Sequence, residues 1–226
     1  MVGYDAGLDF KETMHLVSHM FNYIYKNKKK VPSGYTHFRV PKRRSFSESE
    51  SWFVDNNQKT PDKIRITNIA YTPSESQHKV VIWPECKENW PCKAWDKWET
   101  LANKLEDVAV IGLKDTPVFG KHISDYRGKL NLLQTGGIIK NAEIFIGNEG
   151  GMSHYAAALG VKTYVILGCS DPVKNMPPAN SIPISKNLPC QPCQFKNMKK
   201  TNTVMEGCVS RKCITELTVK EVLSRL

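Results

Sequence analysis

Ile144-Phe145-Ile146-Gly147-Asn148-Glu149-Gly150-Gly151-Met152-Ser153-His154-Tyr155-Ala156-Ala157-Ala158-Leu159-Gly160 is the stretch whose reading decides the fold. Its first residues are apolar without alternation, the pattern of a strand buried on both faces. Glycines and small polar residues follow. From 152 to 159 the apolar spacing becomes helical, and Gly160 closes the helix. Downstream, Thr163-Tyr164-Val165-Ile166-Leu167-Gly168 reads as the next strand. Upstream, a helix is expected over 132–141, strands over 108–113 and 80–83, and an amphipathic helix over 94–105 carrying Trp95, Trp98, Leu101, Ala102 and Leu105. A short helix over 218–226 ends the chain. Apolar strands alternating with helices predict a parallel sheet covered on both faces. The expected class is therefore α/β, a Rossmann-like domain spanning 80–226.

Residues 1–79 differ in texture. A helix is expected over 8–27, ending in Lys26, Lys28, Lys29 and Lys30. Pro41-Lys42-Arg43-Arg44 and a serine-rich exposed loop over 45–51 follow, then a short strand over 64–71. The region reads as a reduced N-terminal extension. The chain of 226 residues carries a formal charge of +10, which favours anionic partners. A hydrophobic fraction of 40% is that of a folded protein and excludes a disordered one. The longest apolar run, 108–113, is too short to cross a bilayer, and no basic n-region with an apolar h-region opens the chain. A cytoplasmic location is the expectation.

In open parallel sheets, ligands sit outside the carboxyl ends of the strands. Three loops there are candidates. The first, 147–154, runs from a strand directly into a helix, so its backbone N–H groups can meet a phosphate; a tight strand–helix turn is the alternative. Within it, Glu149 suits sugar hydroxyls or a helix start, and His154 suits a phosphate or packing against the sheet. The second is Gly168-Cys169-Ser170-Asp171-Pro172, where Ser170 and Asp171 either meet the same ligand or cap a helix. The third, 84–91, carries Lys87, a point charge for a diphosphate or a solvated lysine.

Four of the seven cysteines cluster near the end of the chain: Cys190-x2-Cys193, then Cys208-x4-Cys213. Paired thiolates on turns at this spacing suit a closed tetrahedral site for zinc or iron, bracing the segment 187–213. Such a site is structural, with no open coordination position. Cys86, Cys92 and Cys169 stand outside the finger and read as plain thiols.

Residues 147–172 resemble the donor-domain signature of glycosyltransferase family 9, the ADP-heptose:lipopolysaccharide heptosyltransferases. Asn148 to Gly160 fits throughout, with Glu149 where the family has Asp, and the Lys87…Trp90-Pro91 loop is similar to the family's Lys-x-Trp-Pro segment with one residue added. The likeness is read over 80–226. It implies the two-Rossmann GT-B fold, of which this is the C-terminal half, and a nucleotide-diphosphate-sugar as co-substrate. It assigns Glu149 and Lys87 to catalysis. Lys87, Lys114, Glu149, Gly150, Gly151, Met152, Ser153, His154, Ser170 and Asp171 would bind the donor, with Lys114-Asp115 and 130–132 bordering the nucleoside. The chemistry implied is inverting and metal-independent: a helix dipole and a lysine stabilise the leaving diphosphate. A four-cysteine iron site like that of the autotransporter heptosyltransferases is implied for the finger.

The family's N-terminal acceptor domain, with its Asp general base, is longer than residues 1–79. Asp5 and Asp9 are the early carboxylates, and the context supports neither. A homo-oligomer or a second subunit would then complete the cleft. The acceptor is open between nucleic acid, glycolipid and protein; a phage-type enzyme glycosylating DNA bases fits the charge. The competing class is a non-catalytic nucleotide- or partner-binding module derived from such a donor domain.

Overall fold

Val80-Val81-Ile82-Trp83 (β3) lies at the middle of a sheet because its apolar side chains find partners on both faces; Val81 and Ile82 are fully buried. The computed structural model describes residues 4–5, 65–66, 69–86, 90–113, 117, 119–177, 179–193 and 210–226. It divides the chain into two units, Met1–Ile69 and Ala70–Leu226. In the first, β1 (Tyr4–Asp5) pairs antiparallel with β2 (Arg65–Ile66), Tyr4 opposite Ile66. The helix expected over 8–27 and the basic and serine-rich segments lie outside the described residues.

In the second unit, β3 is joined by β4 (Val108–Val110), β5 (Ser124–Asp125), β6 (Ile144–Asn148), β7 (Lys162–Leu167) and β8 (Ser181–Ser185). The order is β5-β4-β3-β6-β7-β8, and every pair is parallel. Counted from β3, this is the 3-2-1-4-5-6 order of a doubly wound sheet, and the order reverses between β3 and β6. The α/β, Rossmann-like expectation holds.

The two edge strands were not anticipated. β5 is two polar residues, and β8 contains Pro183, which a sheet tolerates at an edge because no ladder bond is lost there. The helix expected over 94–105 is shorter, α1 (Trp98–Ala102), preceded by a 3₁₀ turn Pro91–Lys93. Helices α2 (Leu132–Lys140), α3 (Gly151–Ala158), α4 (Pro172–Asn175), α5 (Lys212–Thr215) and α6 (Val219–Leu223) complete the unit.

Alternation along the strands feeds two cores. On one face Ile82, Val110, Tyr164 and Ile166 meet Trp95, Trp98 and Leu101 with Ile214 and Val222 from the tail. Trp95 and Trp98 pack edge to face at 5.0 Å, and the Trp95 indole donates to the Leu217 carbonyl at 2.9 Å. On the other, α3 packs on β6 and β7 and contacts α2. Residues 70–79, placed by sequence with the N-terminal region, belong to the sheet unit. Thr72 N–H donates to Leu133 O, the Tyr155 hydroxyl to Ala70 O, and Asn141 Nδ2 to Ser74 O and Ser76 O.

Candidate functional site

Asn148 ends β6 as a fully buried polar residue, which requires partners. Its Nδ2 donates to Pro84 O at 2.8 Å and Glu85 O at 3.2 Å, and its Oδ1 accepts from Trp95 N–H at 3.4 Å. The carboxyl ends of β3 and β6 are thereby locked on either side of the point where strand order reverses. Glu149 follows, 7% exposed. One of its oxygens, Oε2, pairs with Lys93 Nζ and accepts a hydrogen bond from the Ser170 hydroxyl at 2.7 Å. The Lys93 ammonium also lies 4.3 Å from the centre of the Trp90 ring. A buried carboxylate, its cation and a hydroxyl therefore converge from three strand-end segments.

The helix leading away from Glu149 begins at Gly151 with Gly150 as its cap and no side-chain cap. Among the described residues, nothing would lie within 4 Å of a Cβ at Gly151, so that position is open. Open N–H groups and the positive dipole end make such a place favourable to an anion. The next loop is different. Asp171 caps its own helix, accepting from Val173 N–H at 3.0 Å with Pro172 in the first turn.

Several residues expected to touch a ligand are engaged elsewhere. The Ser153 hydroxyl turns back to the Asn148 carbonyl at 2.7 Å and is fully buried. His154 Nε2 lies 3.1 Å from the Asn175 carbonyl; burial pushes its pKa below the ordinary value, only partly opposed by the Glu149 charge. Asp171 is a cap. Ser170 reaches the cluster through Glu149, while Gly150, Gly151 and the partly exposed Met152 stay at the helix start. Lys87 and Lys114 lie outside the described residues. Among the described residues Lys93, which the sequence pattern does not single out, supplies the cation. Its one signal was position, two residues beyond Trp90-Pro91 at the carboxyl end of a strand.

Three of the four finger cysteines lie among the described residues. Cys190 is exposed, Cys193 and Cys213 are buried, and Cys208 lies outside the described residues. Among the described residues, which lack the fourth finger cysteine, no group of three His, Cys, Asp or Glu side chains is placed to hold a metal ion. Two cysteines set apart as plain thiols, Cys92 and Cys169, instead pack with Cys193 and Trp90. The hydrogen bond to Cys92, together with burial, holds the Cys169 thiol far above the ordinary thiol range.

A 3-2-1-4-5-6 parallel sheet with an acid, a cation and an uncapped helix start at its switch point defines a Rossmann-like domain. The family model of glycosyltransferase family 9 (heptosyltransferase) matches residues 11–204, and the chain belongs to that family. The match begins well before residue 80, where the likeness had been drawn, so most of the N-terminal region is part of it. No curated protein sequence matches the chain.

Among solved structures it is similar to the iron-containing dodecameric glycosyltransferase TibC from enterotoxigenic E. coli H10407, at 16% identity over 80% of this chain and 52% of that one, with a TM-score of 0.61. The dodecameric iron-containing heptosyltransferase TibC in complex with ADP-D-beta-D-heptose matches at 17% identity over the same shares, 80% and 52%, with a TM-score of 0.60. A glycosyl transferase family 9 protein from Veillonella parvula DSM 2008 matches at 17% identity over 67% of this chain and 45% of that one, with a TM-score of 0.50. At these identities the likeness is one of fold. The chain spans about half the length of the solved structures it matches. No described helix is long and apolar enough to cross a membrane.

Proposed function

We infer that the Ala70–Leu226 unit binds a nucleotide-diphosphate-sugar at the carboxyl ends of β3 and β6, and that the chain acts in glycosyl transfer. The observation that carries this reading is the Lys93–Glu149–Ser170 cluster beside the uncapped start of α3, at the switch point of the sheet. Family membership and the TibC complex with ADP-heptose support it. Glu149 Oε2 is occupied by Lys93 and Ser170, and its other oxygen is the acceptor for a sugar hydroxyl. As the glycosidic bond breaks, negative charge grows on the leaving diphosphate; the N–H groups of Gly151 and Met152 and the positive end of α3 stabilise it, with Lys87 and Lys114 as further cations. Family membership supports an inverting, metal-independent transfer. The acceptor is anionic or polymeric, a reading supported by the formal charge of +10. The dodecameric relative supports assembly into an oligomer.

A structural zinc or iron on Cys190, Cys193, Cys208 and Cys213 is supported by cysteine spacing and by the iron-containing relative. Elemental mass spectrometry of purified protein tests it: about one metal per chain is expected, and a metal-free folded protein would rule it out.

The donor site is tested by thermal unfolding against ADP, GDP, UDP, CDP and dTDP and their sugar conjugates. A ligand at 100 times its Kd stabilises by roughly 2.7 kcal/mol, a clear rise in melting temperature. Glu149→Gln should weaken a sugar conjugate while leaving the bare diphosphate unchanged. Absence of any response would remove the donor site and favour a binding module for another partner.

A further inference from the structure

Cys92 and Cys169 are far apart in sequence and both fully buried, yet their sulfurs lie 2.7 Å from each other. Two segments bring them together. Cys92 sits in the 3₁₀ turn Pro91–Lys93, beside Lys93; Cys169 sits in the loop after β7, beside Ser170. Lys93 and Ser170 are the two partners of Glu149. The approach is built into the backbone: a Cβ at Gly168 would fall inside the Cys92 carbonyl oxygen and against Ile214, so only glycine lets the loops meet. The Cys193 N–H, donating to the Cys169 carbonyl at 3.2 Å, and Gln191 Nε2, donating to Gly168 O at 2.6 Å, hold the loop from its other side.

Zinc or iron about 2.3 Å from each sulfur in a tetrahedral site keeps its sulfurs about 3.8 Å apart, wider than the separation here. A disulfide, at about 2.05 Å, needs only a small further approach.

We propose that Cys92 and Cys169 are an oxidative modification site, a preset thiol pair that a hydroperoxide closes to a disulfide, tying together the two loops that hold Glu149. The Cys92 sulfur attacks a peroxide oxygen to give a sulfenic acid and water, the Cys169 thiol being held protonated. The second thiol then displaces the hydroxyl, giving the disulfide and a second water; two thiols are oxidised and one peroxide is reduced. The site stands independently of any donor reading.

The test is peptide mapping of the full-length wild-type chain after limited hydrogen peroxide, denaturation and alkylation. The expected result is a loss of two hydrogens and two alkyl tags, with the peptides carrying Cys92 and Cys169 joined, reversed by a phosphine. Cys86→Ala should keep the crosslink, and Cys92→Ser and Cys169→Ser should each abolish it. The crosslink should also raise the melting temperature by roughly 5–10 °C. Both thiols still alkylated, or either joined instead to Cys190, Cys193 or Cys208, would overturn the proposal. So would loss of bound metal from Cys92→Ser, which would make the pair a metal ligand set. Should a serine variant fail to fold, the wild-type map decides.

Discussion

The loops that leave β6 and β7 start from neighbouring parallel strands, contain glycine, and lead directly into helices, yet they do opposite things. After β6, the helix start has no side-chain cap and the position at Gly151 is open among the described residues, so its N–H groups are available. After β7, every polar group is spent within the protein: Asp171 caps its own helix, Ser170 donates to Glu149, and Cys169 is buried against Cys92. The second loop braces, and the first is the one proposed above to bind. A motif at a strand end becomes a ligand site only where the protein leaves its donors unsatisfied.

This contrast can be broken most sharply at Lys93. Lys93→Met leaves the Glu149 carboxylate buried without its cation and should cost roughly 3–5 kcal/mol, read from urea unfolding. A cost under about 1 kcal/mol would show that the cluster is solvated and the two loops uncoupled. Next come the glycines. Gly168→Ala forces the brace loop off the Cys92 backbone and should cost at least roughly 1–3 kcal/mol, whereas Gly151→Ala should stay within about 0.5 kcal/mol. Equal effects would erase the distinction between binding and bracing.

Asp171→Ala removes a cap and should cost roughly 1 kcal/mol without changing diphosphate affinity in the thermal assay. A large loss of affinity instead would move Asp171 into the site. The smallest effect concerns His154. Burial holds it neutral in the folded protein below the pH at which the unfolded chain protonates, about 6.5. Its contribution to stability is therefore complete above about pH 6.5 and is lost as the pH falls through the lowered native value. His154→Gln should flatten the fall in urea midpoint between about pH 7 and pH 5; an unchanged slope would assign that dependence to other groups.

Much of the fold was legible because it rests on local signals. The apolar runs at 80–83, 144–147 and 163–167 predict buried strands, Asn131 with Gln134 and Thr218 with Glu221 form capping boxes where the helices begin, and Gly160 closes α3. The edge strands escaped because β5 is short and polar and Pro183 reads as a breaker. Even so, the parallel α/β class could be read from the chain alone.

The sequence by itself therefore determined the class of fold, the strand–loop–helix at 144–160 and the family it belongs to, since periodicity, caps and motif residues act over a few neighbouring positions. Tertiary structure alone decided the rest. It chose Lys93 to face Glu149, turned Ser153 and Asp171 inward, attached 70–79 to the sheet unit, and brought Cys92 to Cys169. Each of these is a contact between segments distant in sequence. Which of several lysines or cysteines makes such a contact is set by where strands β3, β6 and β7 place their carboxyl ends, and no spacing along the chain encodes that.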